Sequence, residues 1–282
     1  MAQQVLQILK DGASAHQSDK FRKANTVFLP ADADVIVSGD LHGNRRNFER
    51  IVSLAKLDKN PNTHVILQEI IHGGPEDDFG GCLSFQLLID TVKLKIKYPD
   101  NVHFLLGNHD TAFISRSEVM KNGKEMNQSM RDAMKRVFHD ASENIDLEMA
   151  RLLFAQPLAI MCPNRIMISH SLPADRLFEQ FDPGILNRKL KVNDIVRPQS
   201  AYLFTWGRRQ SPEIINKLAG IFDVDTFIVG HQNQPAGFDR YTDKMLIIAS
   251  DHTHGVVVRF NCSKKYSIDE LVSCILPLAS IA

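Results

Sequence analysis

The chain runs to 282 residues, of which 44% are hydrophobic and 23% charged. That balance excludes a disordered, highly charged chain, and equal totals of 33 basic and 33 acidic residues leave no net excess for neutralising nucleic-acid phosphates. Residues 1–6 lack a signal-peptide pattern, and the most apolar stretch, 152–162, is too short to span a bilayer and is broken by Gln156 and Pro157. A cytoplasmic protein without a membrane segment is therefore expected. Four cysteines (Cys82, Cys162, Cys262 and Cys274) form no Cys-x-x-Cys pair, so reduced thiols are expected rather than a disulfide framework.

In chain order, residues 1–33 read as a helix followed by an extended segment. An apolar, β-branched run predicts a strand at 34–38. Phe48, Ile51, Val52 and Ala55 then recur at helical spacing within 44–57. A strand at 64–68, a helix at 82–97 with Pro99 beyond its end, and a strand at 102–106 follow. Helices at 129–138 and 146–156 precede a strand at 165–169. A helix at 212–221 leads to strands at 226–229, 244–249 and 256–260, and the tail, 261–282, reads as an apolar helix or cap. Alternating strands and helices indicate an α/β fold. No repeat or Pro/Gly-rich linker divides the chain, so one domain over 1–282 is expected, with its core at about 34–260.

Metal-ligand residue types fall at the ends of five of these strands. The first runs into Gly39-Asp40-Leu41-His42-Gly43-Asn44 and the second into Glu69, with His72 shortly after. The third leads to Gly107-Asn108-His109-Asp110, the strand at 165–169 ends at His170, and the one at 226–229 ends at Gly230-His231. Sites in α/β proteins form outside the carboxyl ends of strands. Each item alone has a plain structural reading, since Asn108-His109-Asp110 could be a helix cap, but five in order point to a metal site. The Asp, Glu, Asn and His donors suit Mn, Fe or Zn.

These residues resemble the calcineurin-like metallophosphoesterases, and among them the phosphoprotein phosphatase branch, which includes the bis(5′-nucleosyl)-tetraphosphatases. The likeness extends over about 34–260, and Ile195-Val196-Arg197-Pro198 with Leu203-Phe204-Thr205-Trp206 is similar to further landmarks of the protein phosphatases. It implies a β-sandwich flanked by helices in four layers, α/β/β/α, with two divalent ions at the strand ends. Asp40, His42 and Glu69 would hold one ion. Glu69, Asn108, His170 and His231 would hold the other, with Glu69 bridging. The implied reaction is hydrolysis of a phosphate ester by attack of a metal-bound hydroxide. His109 would serve as general acid and Arg197 as a phosphate contact. The substrate would be a small-molecule phosphate ester of nucleotide type or a phosphoprotein. Asp110, in place of the Glu of eukaryotic protein phosphatases, leans toward bacterial or nucleotide-type members of the branch. The alternative is a metal-binding regulatory protein with impaired catalysis on the same fold.

The second motif departs from the family. Gly-Asp-x-x-Asp-Arg-Gly is replaced by Gln68-Glu69-Ile70-Ile71-His72-Gly73-Gly74. The bridging Asp becomes Glu69, and Gln68 brings a bulky side chain near the centre. The Asp that orients the catalytic histidine becomes His72, so either Glu76, Asp77 or Asp78 takes that role or His109 is less well held. Two phosphate-binding arginines fall on Gly73 and Leu106, leaving Arg197, with Arg208 or Arg209 as substitutes.

Overall fold

A computed structural model describes residues 1–121 and 123–281. The N-terminal segment forms α1 (Ala2–Gln17), β1 (Arg22–Lys23) and β2 (Thr26–Phe28), then β3 (Asp34–Asp40) carries the first motif. Helix α2 (Arg45–Ala55) is capped by Asn44, whose side chain accepts from the Asn47 amide, and Lys56 closes it in the left-handed region. Next come β4 (Thr63–Gln68), α3 (Ser84–Lys97), β5 (Val102–Leu105) and the short α4 (Asn108–Ser115). A small hairpin, β6 (Met120–Lys121) and β7 (Lys124–Glu125), precedes α5 (Met126–Phe138) and α6 (Ser142–Phe154). The second half contains β8 (Ala159–Met161), β9 (Ile166–Ser169), α7 (Ser200–Trp206), α8 (Pro212–Phe222), β10 (Thr226–Val229), β11 (Phe238–Thr242), β12 (Met245–Ile248) and β13 (Val256–Asn261).

The tail corrects the expectation. It is α-helical only over α9 (Ile268–Ser273), β14 (Ile275–Pro277) then pairs antiparallel with β13, and a single 3-10 turn follows at Leu278–Ser280. Ala282 lies outside the described residues. The apolar spacing that suggested a longer helix instead closes the edge of a sheet.

Two sheets stack face to face. One has the order β1-β2-β8-β9-β10-β12-β11, the other β14-β13-β3-β4-β5. Alternation along each apolar strand divides its side chains between layers. Val35 and Val37 join Ile166, Ile168, Ile228 and Ile248 between the sheets. Ile36 packs outward with Leu67, Phe104 and the helical residues Leu9, Leu88 and Leu152. Met167, Phe227 and Val229 pack outward on the opposite side, against Leu203, Phe204 and Leu218. The result is the four-layer α/β/β/α arrangement, and it explains why these strands read as continuous apolar runs: both faces are buried. All four cysteines are free thiols, as expected. Among the described residues no helix is long and apolar enough to cross a membrane.

The sheets converge at one end. A parallel bridge joins Asp40 to Ala249, and the Ser250 amide donates to the Asp40 carbonyl at 3.2 Å. Gly39 permits this close approach, because a Cβ there would lie 2.2 Å from the Ile248 carbonyl oxygen. The carboxyl ends of β3, β4, β5, β9 and β10 therefore open onto a common space.

Candidate metal centre

Six of the residues singled out from sequence meet in that space. Asp40, the last residue of β3, accepts the His231 amide at 3.1 and 3.2 Å on its two carboxylate oxygens. His42 Nε2 stands 3.8 Å from both Asp40 Oδ2 and Glu69 Oε2. Glu69 Oε1 lies 3.5 Å from His170 Nε2. Asn108 Oδ1 sits between two imidazoles, 2.9 Å from His170 Nε2 and 2.7 Å from His231 Nδ1. Potential ligand atoms of Asp40, Glu69 and His170 lie within 4.8 Å of one another, as do those of His42, Glu69 and His109. His42, Glu69 and His231 all hold positive φ, 42°, 39° and 65°. Such conformations in non-glycine residues persist where the surrounding structure enforces them, commonly at functional sites.

Neighbouring groups orient the rings. The Ile71 carbonyl lies 3.1 Å from His42 Nδ1. It can only accept, so Nδ1 carries the proton and Nε2 presents a lone pair to the centre. Gln68, which the sequence marked as a bulky intrusion, does the same for His170. Its Nε2 donates to the Ser38 carbonyl at 2.9 Å, which turns Oε1 toward His170 Nδ1 at 3.3 Å. His170 Nε2 is left as a lone pair facing Asn108 Oδ1. Two acceptors at that distance repel unless a cation lies between them.

The electrostatics point the same way. Burial pushes the Asp40 carboxyl up to about 7. Burial, then the charges of Asp40 and Asp110, raises Glu69 well above its usual range. Burial lowers His42 to about 4 and His231 to about 3, and His170 falls well below its ordinary value. The imidazoles are thus neutral donors, and the carboxylates need a compensating positive charge before both ionise. Oxygen and nitrogen donors, oriented lone pairs and unrelieved acidic charge together fit divalent ions. The charges of Lys121, on β6, and Arg208 act on Asp40 in that direction, and the sequence did not single out Lys121.

The profile of the calcineurin-like phosphoesterase family matches residues 33–235, more than half of the chain. The chain belongs to that family. A Caenorhabditis elegans serine/threonine-protein phosphatase is 21% identical over 252 residues, covering 85% of this chain and 52% of that protein. The chain thus spans about half the length of that curated relative. A serine/threonine phosphatase from Saccharomyces cerevisiae, described as similar to human phosphatase PP5, superposes with a TM-score of 0.69 at 15% identity, covering 99% of this chain and 93% of that one. A cold-active protein-tyrosine phosphatase of a psychrophilic Shewanella gives 0.54 at 15% identity, covering 89% and 85%. At these identities the two solved structures speak for the shared fold.

The departures in the family's second motif have local explanations. The longer Glu69 side chain folds over Gly107, and its Oε1 accepts the His109 amide at 2.6 Å. A Cβ at position 107 would lie 2.5 Å from both Glu69 Cγ and Oε1. Gly107→Ala is therefore expected to displace the carboxylate, cost about 1–3 kcal/mol of stability as overpacking does, and weaken metal binding; calorimetry and metal titration check both.

His109 is the second residue of α4, where Asp110 Oδ2 accepts the Gly107 amide at 2.9 Å. Its Nε2 points inward, 4.0 Å from Glu69 Oε2. The acidic loop does not orient it, which corrects one of the sequence alternatives. Glu76 pairs with Lys124 at 2.8 Å, Asp77 pairs with Arg136 at 2.7 Å, and Asp78 is exposed. The neighbour of His109 is His72 itself, Nδ1 to Nδ1 at 2.9 Å. Arg197 is exposed and makes no side-chain hydrogen bond or ion pair with the cluster among the described residues. Arg208 does reach the site, its Nε donating to His231 Nε2 at 3.0 Å.

Proposed function

We propose that the chain is a phosphoesterase that hydrolyses a phosphate ester with the help of two divalent ions. The observation that carries this reading is the meeting of Asp40, His42, Glu69, Asn108, His170 and His231 from five strand ends. Asp40, His42 and Glu69 would hold one ion, and Glu69, Asn108, His170 and His231 the other. Mn, Fe or Zn match these donors. When bound, the ions supply Lewis acidity that makes water nucleophilic and offset charge on the phosphoryl oxygens.

The chain's own groups do the rest. Ile71 and Gln68 hold the His42 and His170 rings with their lone pairs toward the centre. His109 Nε2, facing the same space, protonates the leaving oxygen. Arg208 and Lys121 replace the missing arginines as partners for the phosphate anion. A phosphoprotein and a nucleotide-type ester both present that anion. Arg208→Ala is expected to lower kcat/KM about tenfold, mainly through KM, the scale of one lost charge-assisted hydrogen bond; steady-state kinetics with metal content measured in parallel check it.

The deciding experiment assays metal-stripped protein on p-nitrophenyl phosphate and on its bis-ester, with and without Mn²⁺, beside Asp40→Asn. Hydrolysis that returns with Mn²⁺ and is lost in the variant supports the reading, and the preferred ester separates monoesterase from diesterase. No hydrolysis of either ester by protein that demonstrably rebinds metal overturns it.

A further inference from the structure

Arg208 and His231 meet at the edge of the metal centre. Arg208 Nε donates to His231 Nε2 at 3.0 Å, and Nη2 of the same guanidinium donates to the His231 carbonyl at 3.4 Å. An arginine can only donate, so Nε2 of this imidazole holds a lone pair and no hydrogen. The ring's one proton is therefore on Nδ1, which lies 2.7 Å from Asn108 Oδ1 and donates to it. A neutral imidazole has a single lone pair. Arg208 already occupies it, while the nitrogen turned toward Asn108 carries hydrogen. His231 can serve a metal ion only if the arginine gives that lone pair up.

The ring is the fixed partner. His231 is buried, holds φ at 65°, and its amide is bound by both Asp40 carboxylate oxygens at 3.1 and 3.2 Å. The backbone under Arg208 is fixed as well. Ser171 Oγ donates to the Gly207 carbonyl, Gln210 Nε2 donates to the Leu172 carbonyl at 2.6 Å, and the Ser211 amide donates to Asp175 Oδ1 at 2.8 Å. A Cβ at Gly207 would lie 1.8 Å from the Leu172 carbonyl oxygen, so the loop sits directly against the segment that follows His170. The movable part is the Arg208 side chain. The residue is exposed, and among the described residues its guanidinium bonds only to His231.

We propose that Arg208 and a metal ion compete for the lone pair of His231, so that metal uptake releases the guanidinium to the substrate phosphate. One proton leaves Nδ1 and one arrives at Nε2, and the ring stays neutral. Nε2–H then faces the Nε–H of Arg208. Two donors at that distance repel, and the arginine side chain swings away from its pinned backbone. The exchange rests on the reading of His231 as a metal ligand and of Arg208 as a phosphate partner. It makes the phosphate contact conditional, because metal-free protein keeps its arginine tied to His231. Linkage is reciprocal, so removing the arginine must strengthen metal binding.

The test uses the full chain labelled with ¹⁵N-histidine and ¹⁵N-arginine, metal-stripped and then loaded with diamagnetic Zn²⁺. Long-range ¹H–¹⁵N spectra of the metal-free protein are expected to show His231 protonated at Nδ1. Zn²⁺ is expected to move that proton to Nε2 and to shift the Arg208 Nε–H resonance to that of a solvated guanidinium. Arg208→Ala is expected to tighten Zn²⁺ binding about tenfold, the scale of one charge-assisted hydrogen bond. It should weaken inorganic phosphate binding by the loaded protein by a similar factor. Lys121→Ala removes the other cation acting on Asp40 and is expected to change Zn²⁺ affinity less. Four results would each overturn the exchange: His231 protonated at Nε2 in metal-free protein, an Arg208 resonance indifferent to Zn²⁺, equal gains in Zn²⁺ affinity from the two alanine variants, or undiminished phosphate affinity in Arg208→Ala. The wild-type spectra decide it even where a variant does not fold. They also decide it where the protein hydrolyses nothing, which would instead sink the enzymatic reading. Failure to take up Zn²⁺ would remove the metal reading and the exchange together.

Discussion

Asp40→Asn is expected to abolish metal retention and hydrolysis together. The amide is nearly isosteric and still offers an oxygen to the His231 amide, so the fold should survive. What disappears is charge. Asp40 and Glu69 are the two carboxylates among the six proposed ligands, and two divalent cations would then face Glu69 alone. Losing a mere outer contact to a ligand costs about 10–100-fold in affinity, and losing a charged ligand should cost more than about 10²-fold. Elemental analysis after dialysis measures it.

A crossover in stability should accompany that loss. Asp40 has its pKa raised in the folded state, to about 7. In metal-free protein this residue therefore costs stability increasingly as pH rises from about 4 to 7, because the unfolded chain releases the proton first. Metal-free Asp40→Asn should melt above metal-free wild type at neutral pH, and below wild type once Mn²⁺ is added. The same order of melting with and without metal would remove Asp40 from the ligand set.

His109→Ala is expected to leave metal bound and to cut turnover by about 10²–10⁴-fold, the range for losing a general acid. The substitution spares the site because the contact to Glu69 Oε1 comes from the His109 backbone amide, not from its ring. The loss should be smaller for p-nitrophenyl phosphate than for an alkyl ester, since nitrophenolate departs with little need of a proton. Equal losses on both esters would place His109 in binding rather than in proton transfer.

Much of this arrangement was legible in the sequence. Strands predicted at 64–68, 102–106, 165–169 and 226–229 match β4, β5, β9 and β10 to within a residue. Burial on both faces writes an unbroken apolar run that needs no context to be read. The ligand residues were readable for a related reason: each follows such a run directly, so its position in the fold is inherited from its strand. Shorter or half-exposed elements carried no such signal. β11 buries none of its residues fully, and β1 has two residues, too few to show a period.

The groups that tune the centre were not legible. Gln68 looked like an obstruction until the Ser38 carbonyl was seen to turn it toward His170. The nearby acids were candidates to orient His109, yet Lys124 and Arg136 engage Glu76 and Asp77, and the side chain that meets His109 is His72. Arg197 had a landmark around it but faces solvent, while Arg208, in a less distinctive stretch, reaches His231. Periodicity and turn chemistry act between residues a few positions apart and are therefore written locally. A hydrogen bond between distant segments depends on how two sheets and their helices pack, and that information exists only once the chain has folded.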